Sequence, residues 1–123
     1  MVIDTSALLA IVFNEDHGSW VADRLESSKT ALRMSTVNFA EYIIICNHRQ
    51  PKYAEELERE ILTRGIRFIP PNIEHSKIAA KARRKYPLNL GDCFAYALTK
   101  HESCSIITLD RDFINTDLDV ISP

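Results

Sequence analysis

Val2-Ile3-Asp4-Thr5-Ser6-Ala7-Leu8-Leu9-Ala10 reads as a short apolar strand, Met1 to Asp4, that feeds straight into a helix capped by Asp-Thr-Ser. A strand handing over to a helix without a loop implies an alternating architecture, and the rest of the chain keeps to it. Ala7 to Phe13 and Asp16 to Leu25 are expected to be helical, with a break near Asn14. Leu32 to Ser35 is the second strand and Thr36 to Arg49 a helix. Lys52 to Arg64 carries Leu57, Ile61 and Leu62 among Glu55, Glu56, Glu58, Arg59 and Glu60, an amphipathic helix that Gly65 should stop as a C-terminal cap. Ile66 to Ile69 is a third strand closed by Pro70-Pro71. Helices follow at Ile73 to Tyr86 and Gly91 to Glu102, and strands at Ser105 to Leu109 and Leu118 to Ile121. Helices of about ten residues or more between strands imply an α/β fold: a parallel sheet covered on both faces. In such sheets, sites form beyond the carboxyl ends of the strands.

The 123 residues suffice for one hydrophobic core, so residues 1–123 are expected to form a single domain. No stretch approaches the roughly 20 apolar residues that span a bilayer. Asp4 interrupts any leader-like apolar segment at once, which reads as a cytoplasmic protein with no membrane role. Cys46, Cys93 and Cys104 are odd in number and lack paired spacing, against both a disulfide framework and a zinc site. The net charge of −2 argues against a protein that lives on broad electrostatic contact with nucleic acid. It is compatible with a nuclease whose acidic site is neutralised by bound cations.

Four acids stand in places that need explaining. Asp4 ends the first strand, where an N-cap accounts for it as well as a site does. Glu41 lies in the apolar helix Val37-Asn38-Phe39-Ala40-Glu41-Tyr42-Ile43-Ile44-Ile45-Cys46, where a lone carboxylate is costly unless paired or metal-bound. A capping box with Asn38 as N-cap is the alternative. Asp92 opens the apolar run Cys93 to Leu98, and capping by Asn89 explains it equally well. Asp110 closes the fourth strand in Ile106-Ile107-Thr108-Leu109-Asp110, with Asp112 as its rival. Strand alternation puts Thr108 and Asp110 on one side and leaves Asp112 in the following turn, as a cap or a partner for Arg111. Each acid has a bland reading; together they would converge at one edge of a parallel sheet. Close carboxylates repel unless neutralised. An all-oxygen set suits Mg²⁺ or Mn²⁺, and such ions activate water against a phosphodiester.

These residues carry a resemblance that spans essentially the whole chain. Val2-Ile3-Asp4-Thr5-Ser6-Ala7-Leu8, Ser35-Thr36-Val37-Asn38-Phe39-Ala40-Glu41, Leu88-Asn89-Leu90-Gly91-Asp92-Cys93-Phe94-Ala95-Tyr96-Ala97-Leu98 and Ile106-Ile107-Thr108-Leu109-Asp110-Arg111-Asp112-Phe113 occur in order. In this the chain resembles the PIN-domain ribonucleases, in particular the VapC-type toxins of toxin–antitoxin pairs. The resemblance implies a three-layer α/β/α fold with a central parallel sheet of four to five strands. It implies Asp4, Glu41, Asp92 and Asp110 as catalytic and metal-site acids, with Asp112 still a rival for the last place. It also implies a supporting hydroxyl at Thr5 or Ser6, Mg²⁺ or Mn²⁺ as cofactor, and an RNA substrate such as transfer RNA. A VapB-like antitoxin and a homodimer are the implied partners.

The remaining features read as structural. Lys77, Lys81, Arg83, Arg84 and Lys85 form a basic helix end, more simply a solvated face than a phosphate patch. His48, Arg49 and Lys52 are a similar case. Trp20, Tyr42 and Tyr96 suit a core or interface, and Cys93 has no visible base that would make it a nucleophile. A phosphoacceptor domain would want an acceptor Asp after the third strand, where Pro70-Pro71 stand, and a second acid beside Asp4. A fold relic used only for binding would have no reason to keep all four acids.

Overall fold

A computed structural model describes all 123 residues. In chain order the elements are β1 (Val2–Ile3), α1 (Thr5–Val12), α2 (Gly18–Glu26), β2 (Arg33–Ser35), α3 (Thr36–Arg49), α4 (Ala54–Leu62), β3 (Arg67–Ile69), α5 (Ile73–Lys85), α6 (Leu90–Glu102), β4 (Ser105–Ile107), a 3-10 turn (Arg111–Phe113) and β5 (Asp119–Ile121). The strands form one parallel sheet in the order β3-β2-β1-β4-β5. The chain therefore starts at the sheet's centre, builds outward to β3, then returns to the other side of β1. That reversal between β1 and β4 is a topological switch point, where a crevice opens at the carboxyl ends of the strands.

Period-two alternation divides the sheet's side chains between two cores. Ile3, Met34 and Ile107 pack with Leu8 of α1, Tyr42 and Cys46 of α3 and Ile61 of α4. Val2 and Ile106 turn the other way, onto Ala79 and Ala82 of α5 and Cys93, Tyr96 and Leu98 of α6. The layers are thus α/β/α, as the resemblance implied. No helix is long and apolar enough to cross a membrane.

The expected break near Asn14 is real: Asn14 and His17 both have positive φ, 50° and 68°. There the backbone turns so tightly that a Cβ on Gly18 would lie 2.4 Å from the Ala10 carbonyl oxygen. Two expectations need correcting. Gly65 is not the cap of α4; Thr63 is, and Gly65 follows with φ 75° in the turn leading to β3. β4 stops at Ile107 instead of Leu109, because the chain curls as the Asp110 N–H donates to Thr108 Oγ1 (2.9 Å). A side-chain acceptor has replaced a ladder partner.

Tyr96 is a structural residue. Its hydroxyl donates to Asp117 Oδ1 (2.6 Å) while Lys100 Nζ donates to Oδ2 (2.7 Å), tying the segment before β5 onto α6. The Lys100 and Tyr96 hydrogen bonds hold the Asp117 carboxyl down to about 2. Cys46 and Cys93 are buried, and burial pushes the Cys93 thiol up, away from nucleophilic use.

Candidate metal centre

β1 and β4 run side by side with Ile3 opposite Ile107, so the residues that follow them meet in the crevice. Asp4 stands at the N-cap of α1, but its side chain makes no capping bond. Its Oδ2 instead accepts from Ser6 Oγ (2.6 Å) and Thr108 Oγ1 (2.8 Å). Only 3% of Asp4 is exposed. Burial raises its pKa, the two hydroxyls pull it back, and the charges of Glu41 and Asp110 raise it further.

Glu41 comes from the second turn of α3. Thr5 Oγ1 (2.9 Å) and Asn38 Nδ2 (2.8 Å) both donate to its Oε1. The capping-box alternative fails here, because Ser35 is the N-cap, accepting from Val37 N (3.2 Å). For Asp92 the capping box is present: Asp92 N donates to Asn89 Oδ1 (2.8 Å), and Asn89 N to Asp92 Oδ2 (3.1 Å). The cap does not exclude a site, since it engages one carboxylate oxygen only. Burial pushes Asp92 up to about 7, with Asp4, Asp110 and Glu41 adding to the rise and the Asn89 N–H opposing it.

At the end of β4 the cap expected of Asp112 is made by Asp110. Asp110 is the cap, its Oδ1 accepting from Asp112 N (2.9 Å) at the start of the 3-10 turn. Asp112 stays exposed on that turn, yet Asp92, Asp110 and Asp112 each offer an oxygen within 4.8 Å of the others. Asp112 makes no ion pair with Arg111; the ion pairs of the structure lie elsewhere, and none involves these acids. The oxygens of Asp4 and Glu41 lie outside that group, although Asp4, Glu41 and Asp110 are near enough for their charges to act on Asp92, and those of Glu41 and Asp110 on Asp4. Thr108 is the supporting residue that sequence reasoning passed over. Its signal was strand alternation, which put its hydroxyl on the same side as Asp110.

Carboxylates gathered without a cationic side chain, some raised by burial, are the donor set a hard divalent cation neutralises. The residues present fit such an ion. Three of the basic residues of α5 have partners within the chain: Lys77 pairs with Glu74 (3.7 Å), Arg83 donates to the Leu88 carbonyl, and Lys85 lies over Tyr86.

The PIN domain family model matches residues 1–118. The chain belongs to the PIN-domain family. Its PIN domain is 32% identical to ribonuclease VapC42 of Mycobacterium tuberculosis, over 96% of each chain. It is 28% identical to ribonuclease VapC30 of the same organism, over 99% of this chain and 98% of that one. Among solved structures, the fold superposes on M. tuberculosis VapC20, a sarcin-ricin loop cleaving toxin, with a TM-score of 0.82 at 14% identity and 95% coverage of both chains. A toxin–antitoxin complex from Klebsiella pneumoniae gives 0.77 at 19% identity, covering 98% of this chain and 94% of that one.

Proposed function

We propose that the PIN domain, taken as one catalytic unit over residues 1–123, is an endoribonuclease that hydrolyses RNA phosphodiester bonds and acts as the toxin of a toxin–antitoxin pair. The observation carrying this reading is the group of carboxylates without a cationic partner at the β1/β4 switch point. The VapC ribonuclease relatives support it. Asp4, Glu41, Asp92 and Asp110 are the proposed catalytic and metal-site acids, with Asp112 beside them. The cofactor is Mg²⁺ or Mn²⁺, the oxygen-preferring ions that keep water and bind substrate phosphates. When bound, such an ion supplies activated water and stabilises the departing oxyanion. The chain's own part is positioning: Ser6 and Thr108 orient Asp4, Thr5 and Asn38 orient Glu41, and Asn89 orients Asp92. A VapB-like antitoxin as inhibitor, a homodimer and a cytoplasmic location complete the proposal. Solved toxin–antitoxin complexes of the same fold support the antitoxin partner. RNA cleavage by the purified protein should require Mn²⁺ or Mg²⁺, stop in EDTA and return when metal is restored. Undiminished cleavage in EDTA would overturn the metal reading.

The site also sets a pH dependence. Burial pushes Asp92 up to about 7 in the folded protein against an ordinary 3.8, so between these values the folded state should hold a proton that the unfolded chain has lost. Metal-free stability should therefore fall as pH rises from about 4 to about 7, then level off. Protons and cations compete for the same oxygens, so apparent Mn²⁺ affinity should rise over that interval. Thermal unfolding across this range, with and without Mn²⁺, checks both trends. A flat metal response across it would contradict the assignment.

A further inference from the structure

Asn38 is wholly buried on α3, yet it does not serve the helix, whose N-terminus Ser35 already caps. Both protons of its Nδ2 are engaged, one by Glu41 Oε1 (2.8 Å) and one by the Gly91 carbonyl oxygen (2.9 Å). Its Oδ1 is buried with no donor at all. Turning the amide over would not relieve this, because Oδ1 would then face a carboxylate and a carbonyl, acceptors against an acceptor. A buried acceptor left without a partner calls for an explanation outside stability.

Gly91 supplies the other half. A Cβ there would lie 2.0 Å from Glu41 Oε2 and 2.4 Å from its Cδ. The Glu41 carboxylate thus lies against bare backbone of α6, one residue before Asp92. Thr5 and Asn38 hold Oε1 from two different helices, while no protein donor reaches Oε2.

We infer that Asn38 is a positioning residue whose amide clasps α3 to α6, locking Glu41 Oε1 so that Oε2 is presented to a bound divalent cation. This rests on the metal site proposed above. Its effect on the cation runs through Glu41, because without the amide the carboxylate keeps Thr5 as its one donor.

The test is a double-mutant cycle read by Mn²⁺ calorimetry on the whole protein, with Asn38→Ala, Glu41→Gln and the pair. Asn38→Ala should weaken Mn²⁺ binding by about tenfold or more, the scale seen when a ligand loses its outer hydrogen-bond partner. In the Glu41→Gln background the same change should have no further effect. Asn38→Leu, similar in size and free of the orphan oxygen, should weaken binding equally while keeping the parent's circular dichroism spectrum in EDTA. Wild-type affinity in a folded Asn38 variant, with Glu41→Gln weakened, overturns the clasp and leaves the metal site standing. Equal losses in both backgrounds, or failure of both Asn38 variants to fold, overturn it by showing a general structural role. An unaltered affinity in Glu41→Gln overturns the metal assignment itself.

Discussion

Asp92→Asn should cut RNA cleavage by more than about a hundredfold, beyond the upper end of what loss of a ligand's hydrogen-bond partner does to a metal site. The same variant should melt higher than the parent in EDTA. Both effects have one cause. The Asp92 carboxyl is buried near the charges of Asp4, Asp110 and Glu41, and that burial disfavours its charged form, pushing it up to about 7. Asparagine removes that charge but keeps an acceptor for the Asn89 N–H, so the cap on α6 survives. Without the carboxylate the cation loses a ligand, and the increase in melting temperature on adding Mn²⁺ should shrink or vanish. Initial cleavage rates and paired melts with and without Mn²⁺ check the two halves together. Activity equal to the parent's would remove Asp92 from the site.

Gly91→Ala should come close to the same loss of cleavage without touching a carboxylate. In an isolated helix this change is favourable by about 1 kcal/mol. Here the new Cβ would meet Glu41 Oε2 at 2.0 Å, far inside van der Waals contact, so one of the two must move. Glu41 is the mobile party, being a side chain against backbone. Moving it breaks its hydrogen bonds to Thr5 and Asn38 and carries Oε2 away from the crevice. Weakened Mn²⁺ binding and lost activity with an unchanged circular dichroism spectrum are expected. Retained Mn²⁺ affinity would show that α3 and α6 can separate at no cost to the site.

Much of this was legible in the chain. Its alternation of short strands with helices pointed to a covered parallel sheet, because parallel strands need crossover connections and helical crossovers pack on the sheet's faces. Met1 to Asp4 and Ser105 to Leu109 read as strands with an acid at or just beyond their ends. What misled was local: Gly65 was expected to cap α4 because glycine commonly does, and Asp112 was assigned the cap that Asp110 makes. Capping preferences are shared by Asp, Asn, Ser and Gly, so sequence names the type of residue at a boundary more reliably than its position. Asn38 shows the same limit. From sequence it is a candidate N-cap; in the fold it is a buried amide shared between two helices.

By itself the sequence determined the α/β class, the order of strands and helices, and the acids worth testing, since periodicity and residue type are local properties. Only the tertiary structure decided that β4 lies beside β1, which brings Thr108 onto Asp4 across 104 residues of chain. It alone drew Asp112 in with Asp92 and Asp110, and set Glu41 against the bare backbone of Gly91. Those outcomes depend on strand order and on how closely two helices approach. Both are fixed by packing between distant segments, which no local pattern encodes.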